Sequence, residues 1–274
     1  GHEVDGEKEP PIWKYGEALE DEKIVELFRA DLQRLEEAPN PYATYSSEVR
    51  QVTVAGGADG GPSRAHRQKG DGAAAFRHTL NGLLVADAGR TVHFTVKGVS
   101  RSTSVRVLGT GAQTLVDRHV GSKETVEIEV ELPGPGSYPV RISGRFQLRV
   151  PHDTPFVFKA SYDSAAWISY SGPHYFYVPK GTKRLLFSCG PRLSLIVPGQ
   201  GRRDFSSQDY AEGKSYVAFD IPEGTDGQVW RTMSQTRGSV KLINVPPYMS
   251  FYRDRIVVPR GVAEEDGLKV GWKK

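Results

Sequence analysis

KETVEIEVELPGPGSYPVRIS, residues 123–143, places Val126, Ile128, Val130 and Leu132 on one side of an extended chain and Thr125, Glu127, Glu129 and Glu131 on the other. It then reverses at Gly134, Pro135 and Gly136 and resumes in SYPVRIS. Successive side chains of a strand point to opposite faces, so this pattern is a half-buried antiparallel strand with one face in water. Upstream, the same spacing predicts strands at 49–54, 83–86, 91–97, 104–108 and 113–119, and downstream at 138–142 and 146–150. Short alternating strands at this interval build an antiparallel sandwich. The glycine-rich stretch 55–72 reads as a loop inside it.

A linker-like VPHDTP at 150–155 precedes a second series, at 156–161, 167–170, 174–178, 184–188, 193–197, 215–221, 228–233, 240–245 and 255–258. Turns carrying Pro179-Lys180-Gly181, Pro198-Gly199-Gln200-Gly201 and Pro222-Glu223-Gly224 separate these segments. Ahead of both series, residues 19–37 carry Ile24, Leu27, Phe28, Leu32 and Leu35 on one stripe and stop at Ala38-Pro39-Asn40-Pro41, the mark of one amphipathic helix. The expected fold is all-β: two tandem antiparallel β-sandwiches of jelly-roll type behind one N-terminal amphipathic helix. Its expected divisions are an acidic leader over 1–45, a first sandwich over 46–151 and a second over 152–274.

Composition narrows the function. The 274 residues contain one cysteine, Cys189, which excludes an intrachain disulfide and a thiolate zinc cluster. No window has the apolar length of a spanning helix, and no membrane partner is expected. The opening GHEVDGEKEPP has neither a starting Met nor the regions of a signal peptide, as expected of a processed or excised piece. Residues 1–48 carry 13 Asp+Glu against 5 Lys+Arg, a net of −8, while the other 226 carry 20 against 31, a net of +11. A basic body favours anionic partners, either an acidic polysaccharide or an acidic segment of the same protein. Nucleic acid ranks low, because no lysine-rich tract or RNA-binding aromatic signature is present.

Catalytic motifs are missing. The seven histidines are dispersed without H-x-H or H-E-x-x-H spacing, and there is no G-x-S-x-G, P-loop or G-x-G-x-x-G. No cofactor is expected; structural calcium, built from carbonyls and scattered Asp, is not readable from one sequence. What stands out is aromatic. Trp167, Tyr170, Tyr175 and Tyr177 lie close together, Tyr175 and Tyr177 share a strand face opposite Phe176 and Val178, and that tyrosine face is the candidate for the wet side. Flat rings stack on the C–H faces of sugars, while neighbouring polar groups such as His174 and the loop pair Arg202 and Arg203 orient the ligand. The candidate ligand site is therefore Trp167, Tyr170, His174, Tyr175, Tyr177, Arg202 and Arg203.

The segments GPHYFYVPKGTKRLLFSCGPRLSLIVPGQG (172–201) and DIPEGTDGQVWRTMSQTRGSVKLINVPPYMSF (220–251) resemble accessory β-sandwich domains of bacterial polysaccharide-active enzymes. SYPVRIS resembles the closing strand of many small extracellular sandwiches. The resemblance covers about half the chain and implies a non-catalytic carbohydrate-binding or accessory region, secreted or at the cell surface, beside a catalytic domain of the same parent protein. Two other readings stay open. One is a structural module that docks a protein without any ligand. The other is a small enzyme: a lyase, in which His174, Tyr175 or Tyr177 would act as base and Arg202 and Arg203 would neutralise a uronate, or a glycosidase, for which Asp153, Asp163, Asp204, Asp209 and Asp220 supply carboxyls.

Overall fold

The computed structural model describes residues 49–54, 73–100, 102–161, 165–171, 173–189, 192–206, 216–234 and 238–271. The expected helix at 19–37 and the loop at 55–72 lie outside them. The first series comprises β1 (Val49–Thr53), β2 (Ala73–Phe76), β3 (Thr79–Ala86), β4 (Arg90–Gly98), β5 (Thr103–Leu108), β6 (Thr114–Val120), β7 (Thr125–Leu132), β8 (Gly136–Ser143) and β9 (Phe146–Arg149). The second comprises β10 (Phe156–Lys159), β11 (Ala166–Ser171), β12 (His174–Val178), β13 (Arg184–Cys189), β14 (Arg192–Val197), β15 (Gly201–Ser206), β16 (Tyr216–Asp220), β17 (Gln228–Ser234), β18 (Gly238–Leu242), β19 (Tyr248–Ser250), β20 (Ile256–Pro259), the short helix α1 (Arg260–Glu265) and β21 (Lys269–Val270).

The acidic ladder of 125–132 behaves as its alternation requires. In β7, Ile128, Val130 and Leu132 are buried while Glu127, Glu129 and Glu131 are exposed. Val130 and Ile128 lie opposite Val92 and Phe94 of β4, so both strands turn the same side to the core. On the wet side His93 sits 3.7 Å from both Glu127 and Glu129.

Two large sheets form, of ten strands in the order β15-β14-β17-β12-β19-β10-β3-β8-β5-β6 and of eight in the order β16-β13-β18-β11-β2-β9-β4-β7. Their ladders are antiparallel, and their inner faces share one apolar core that draws residues from both series. Phe187 meets Phe205 across the gap at 5.3 Å between ring centres, and Phe219 meets Trp230 at 6.0 Å.

The all-β antiparallel class therefore holds. Pairing, however, runs straight through the boundary expected at 151/152. In the ten-stranded sheet Phe156, Val157 and Phe158 of β10 pair with Leu84, Leu83 and Gly82 of β3. In the eight-stranded sheet β11 pairs with β2, Ile168 opposite Phe76. The seam between the series is filled with rings: Phe76 lies 5.6 Å from Phe146 and 5.5 Å from Phe158, and Phe158 lies 5.4 Å from Phe251. Gly82 admits this packing because a Cβ there would stand 2.7 Å from the Phe156 ring. The linker-like 150–155 is itself tied down, Thr154 Oγ1 donating to the His93 carbonyl at 2.6 Å and Arg90 to the Asp153 carbonyl at 3.1 Å.

A third, three-stranded sheet, β20-β1-β21, lies on the outside of the ten-stranded sheet. Val52, Ile256, Val258 and Val262 pack there against Tyr177 and Val229, and Val49 and Val257 against Leu83, Val85, Val157 and Tyr248. Each such aliphatic contributes roughly 1.5–3 kcal/mol by leaving water. Gln51 is buried under the cover and donates to the Val85 carbonyl. No helix among the described residues is long and apolar enough to cross a membrane.

Candidate functional site

Strand β11 shows why Trp167 reaches the surface. Its neighbours Ala166 and Ile168 are buried, so alternation turns the indole outward, and at 43% relative exposure it is the exposed large aromatic of the described residues. The His78 ring meets it edge-on at 5.2 Å, and the Arg77 amide donates to the Trp167 carbonyl at 2.9 Å. Beyond Ile168 the ladder shifts register, after which the Tyr170 backbone pairs with Ala75.

The outer face beside Trp167 follows from the register. Ala75 lies opposite Gln147, and Gln147 opposite Lys97; Ala73 lies opposite Arg149, and Arg149 opposite Thr95. All six alternate with buried residues and share the outward side. Arg77 is the residue across from Trp167, and further along the neighbouring strand two alanines keep the floor of this surface low, while Gln147, Lys97 and Arg149 are exposed. Neither Lys97 nor Arg149 makes an ion pair among the described residues. Sequence reading missed these three because each looks like an ordinary solvated residue until the ladder sets it on the same face as Trp167.

Other members of the expected site are elsewhere. His174 of β12 is buried, at 1% exposure, with its ring edge-on to Phe158 at 5.0 Å and to Phe251 at 5.5 Å. Burial among these rings drops its pKa to about 3, so the imidazole is neutral at ordinary pH. Tyr177 is buried as well, and its hydroxyl donates to Asp266 Oδ2 at 2.7 Å. The Lys180 amide donates to the same oxygen at 2.9 Å, and Lys180 Nζ to the Asp266 carbonyl at 2.6 Å. Tyr175 is half-buried against the same cluster as Val54 and Leu268. The tyrosine face expected to be wet is thus the covered one, because β1, β20 and α1 lie over it. Neither His174 nor Tyr177 has surface to offer a ligand or a substrate proton.

Arg202 and Arg203, expected in a loop, lie on β15 at the border of the ten-stranded sheet, where Ile196 and Leu195 of β14 pair with them. That pairing supplies the regularity which a sequence opening in Pro-Gly-Gln-Gly hides. Arg202 Nε donates to Asp204 Oδ1 at 2.6 Å, and the Ser194 hydroxyl donates to the same oxygen. Partial burial pushes the Asp204 carboxyl up, but the hydrogen bonds from Arg202 and Ser194 and the Arg202 charge outweigh it and hold the group below the usual carboxylate range. Tyr175, Arg231, Ile196 and Arg202 form one cross-strand row on the outside of this sheet. Trp167 belongs to the opposite layer, so the structure divides the expected site between two surfaces.

The described residues hold one exposed His–Asp pair. His152 Nε2 lies 2.9 Å from both Asp254 oxygens, while Arg255 approaches His152 Nδ1 at 3.2 Å, so both ring nitrogens are engaged. No three His, Cys, Asp or Glu among the described residues gather into a metal-binding group.

No family model matches the chain, and no curated protein matches it. Among solved structures, an S161A mutant of Bacillus subtilis oxalate decarboxylase OxdC is similar at 9% identity over 77% of this chain and 74% of that one, with a TM-score of 0.18. The CBM22-1-CBM22-2 tandem domain of Paenibacillus barcinonensis Xyn10C is similar at 8% identity over 69% and 79% of the two chains, with a TM-score of 0.13. At scores this low neither structure bears on the fold or function of this chain.

Proposed function

We propose that this chain is a non-catalytic carbohydrate-binding region that holds polysaccharide on the outer face of its eight-stranded sheet. The observation that carries this reading is the exposed Trp167 indole, on the same outward face as two low alanines one strand away and the exposed Gln147, Arg149 and Lys97 two and three strands away. An indole presents a flat apolar face to the C–H surface of a pyranose, and its N–H, the Gln147 amide and the two cations supply hydrogen bonds to hydroxyl or carboxylate groups. Strands of a sheet lie about 4.8 Å apart, close to the rise per sugar of an extended glycan, so a chain crossing the strands meets a new side chain at each residue. Unpaired Lys97 and Arg149 favour an anionic polysaccharide over a neutral one.

The reading calls for no cofactor and places the chemistry in a catalytic domain of the same secreted or cell-surface bacterial protein, as the resemblance of 172–201 and 220–251 implies. A lyase reading loses two of its three candidate bases, since His174 and Tyr177 are enclosed. Affinity electrophoresis against a panel of neutral and acidic glycans tests the proposal. Retardation by an acidic glycan, abolished in Trp167→Ala, is expected. Migration unaffected by every glycan, or retardation unchanged in Trp167→Ala, refutes it.

A further inference from the structure

We infer that the outer face of the ten-stranded sheet carries a separate oxyanion site centred on Arg231, shaped for the carboxylate or sulfate of an acidic saccharide. Arg231 projects from β17 between Tyr175 of β12 and Ile196 of β14, the residues directly opposite it in the two ladders. Its flanking residues Trp230 and Thr232 point into the core, which fixes the guanidinium on the outside. The side chain is half-buried, and its Nε is enclosed with no hydrogen-bond partner. No carboxylate, carbonyl or hydroxyl among the described residues accepts from this guanidinium.

That arrangement is costly as it stands. A buried charged donor without an acceptor loses the hydration it had in the unfolded chain and receives nothing in exchange, and native proteins leave few such groups. The described residues around it do not offer Arg231 a carboxylate partner. Asp204, the carboxylate on this stretch of the face, is already held by Arg202 and Ser194, one strand beyond Ile196. The Arg202–Asp204 pair is internally balanced, so the Arg231 charge is left uncompensated among the described residues. An incoming oxyanion would accept from the two terminal nitrogens of Arg231, which are not enclosed as Nε is, in the planar two-point geometry that arginine favours. Tyr175, half-buried beside Arg231, makes no hydrogen bond through its hydroxyl among the described residues, and it supplies a ring and a donor next to the anion. An aromatic flank with a bidentate cation suits a sugar acid or sugar sulfate better than a bare inorganic ion.

This site does not depend on the Trp167 surface, which lies on the other layer. Thermal unfolding of the whole chain in sodium glucuronate, sodium sulfate and sodium chloride at equal ionic strength, for the parent, Arg231→Met and Trp167→Ala, tests it. Glucuronate or sulfate should raise the midpoint of the parent and of Trp167→Ala beyond chloride, and a calorimetric titration should show affinity for that anion about tenfold weaker in Arg231→Met. Glucuronate acting alone identifies a carboxylate site, and sulfate acting alone a sulfate site. Arg231→Met without added anion should be at least as stable as the parent, so a folding defect will not imitate lost binding. Equal shifts in the parent and Arg231→Met, no shift with either anion, or stabilisation by a short polyglutamate peptide but by neither small anion, would each overturn the inference.

Discussion

The Trp167 strand and the Tyr177 strand have the same local grammar and opposite fates. Both point an aromatic outward between two buried neighbours, Ala166 and Ile168 in one and Phe176 and Val178 in the other, and both turn one side to the shared core. In β11 the outward ring stays in water, whereas in β12 the outward Tyr177 is sealed beneath β1, β20 and α1. The alternation of a strand therefore fixes which residues share a side. What lies over that side is decided by segments far away in sequence, here the first described strand and the β20–α1 stretch. Exposure is a tertiary property even when facing is a local one.

Acid gives the largest expected effect on this contrast. His174 has a folded pKa of about 3 against an ordinary 6.5, so as pH falls below 6.5 the unfolded chain takes up a proton that the folded chain refuses. Its contribution is intact above 6.5 and is lost progressively down to about 3. The loss should reach roughly 5 kcal/mol at most, read from urea unfolding at a series of pH values. His174→Phe should flatten that slope; an unchanged slope would show that His174 is reached by solvent.

Truncating each outward ring compares the two sides directly. Tyr177→Ala should lose about 4 kcal/mol, because it empties a packed position and strands the Asp266 carboxylate. Asp266→Ala should cost about 2 kcal/mol, since Tyr177 Oη and the Lys180 amide lose their acceptor while the packing remains. Trp167→Ala should alter stability by no more than about 0.5 kcal/mol, as an exposed ring does. Denaturation midpoints check all three, and a large loss in Trp167→Ala would mean that its face is covered too.

Much of the strand content was legible because it is written locally. Residues 125–132 and 174–178 match their observed strands end to end, and 184–188 and 193–197 differ by one residue. Ala73–Phe76 escaped notice because three alanines give no contrast between faces; Phe146–Arg149 and Ala166–Ser171 make it a strand by pairing on both sides. Tyr248–Ser250 follows two prolines and is buried throughout, so it too lacks alternation. Of the candidate site, Trp167 could be selected from sequence, while Gln147, Lys97 and Arg149 could not, since their company depends on ladder register. Arg231 was invisible for a different reason: an arginine looks solvated until the strands beside it are known.

The ladder joining β10 to β3 and β11 to β2 governs how this protein can be taken apart. A fragment ending at residue 151 would bare the backbone donors and acceptors of both β2 and β3, and the complementary fragment those of β10 and β11. Unprotected borders of that kind recruit other strands, so each piece made alone should self-associate, and the two pieces made together should find one another.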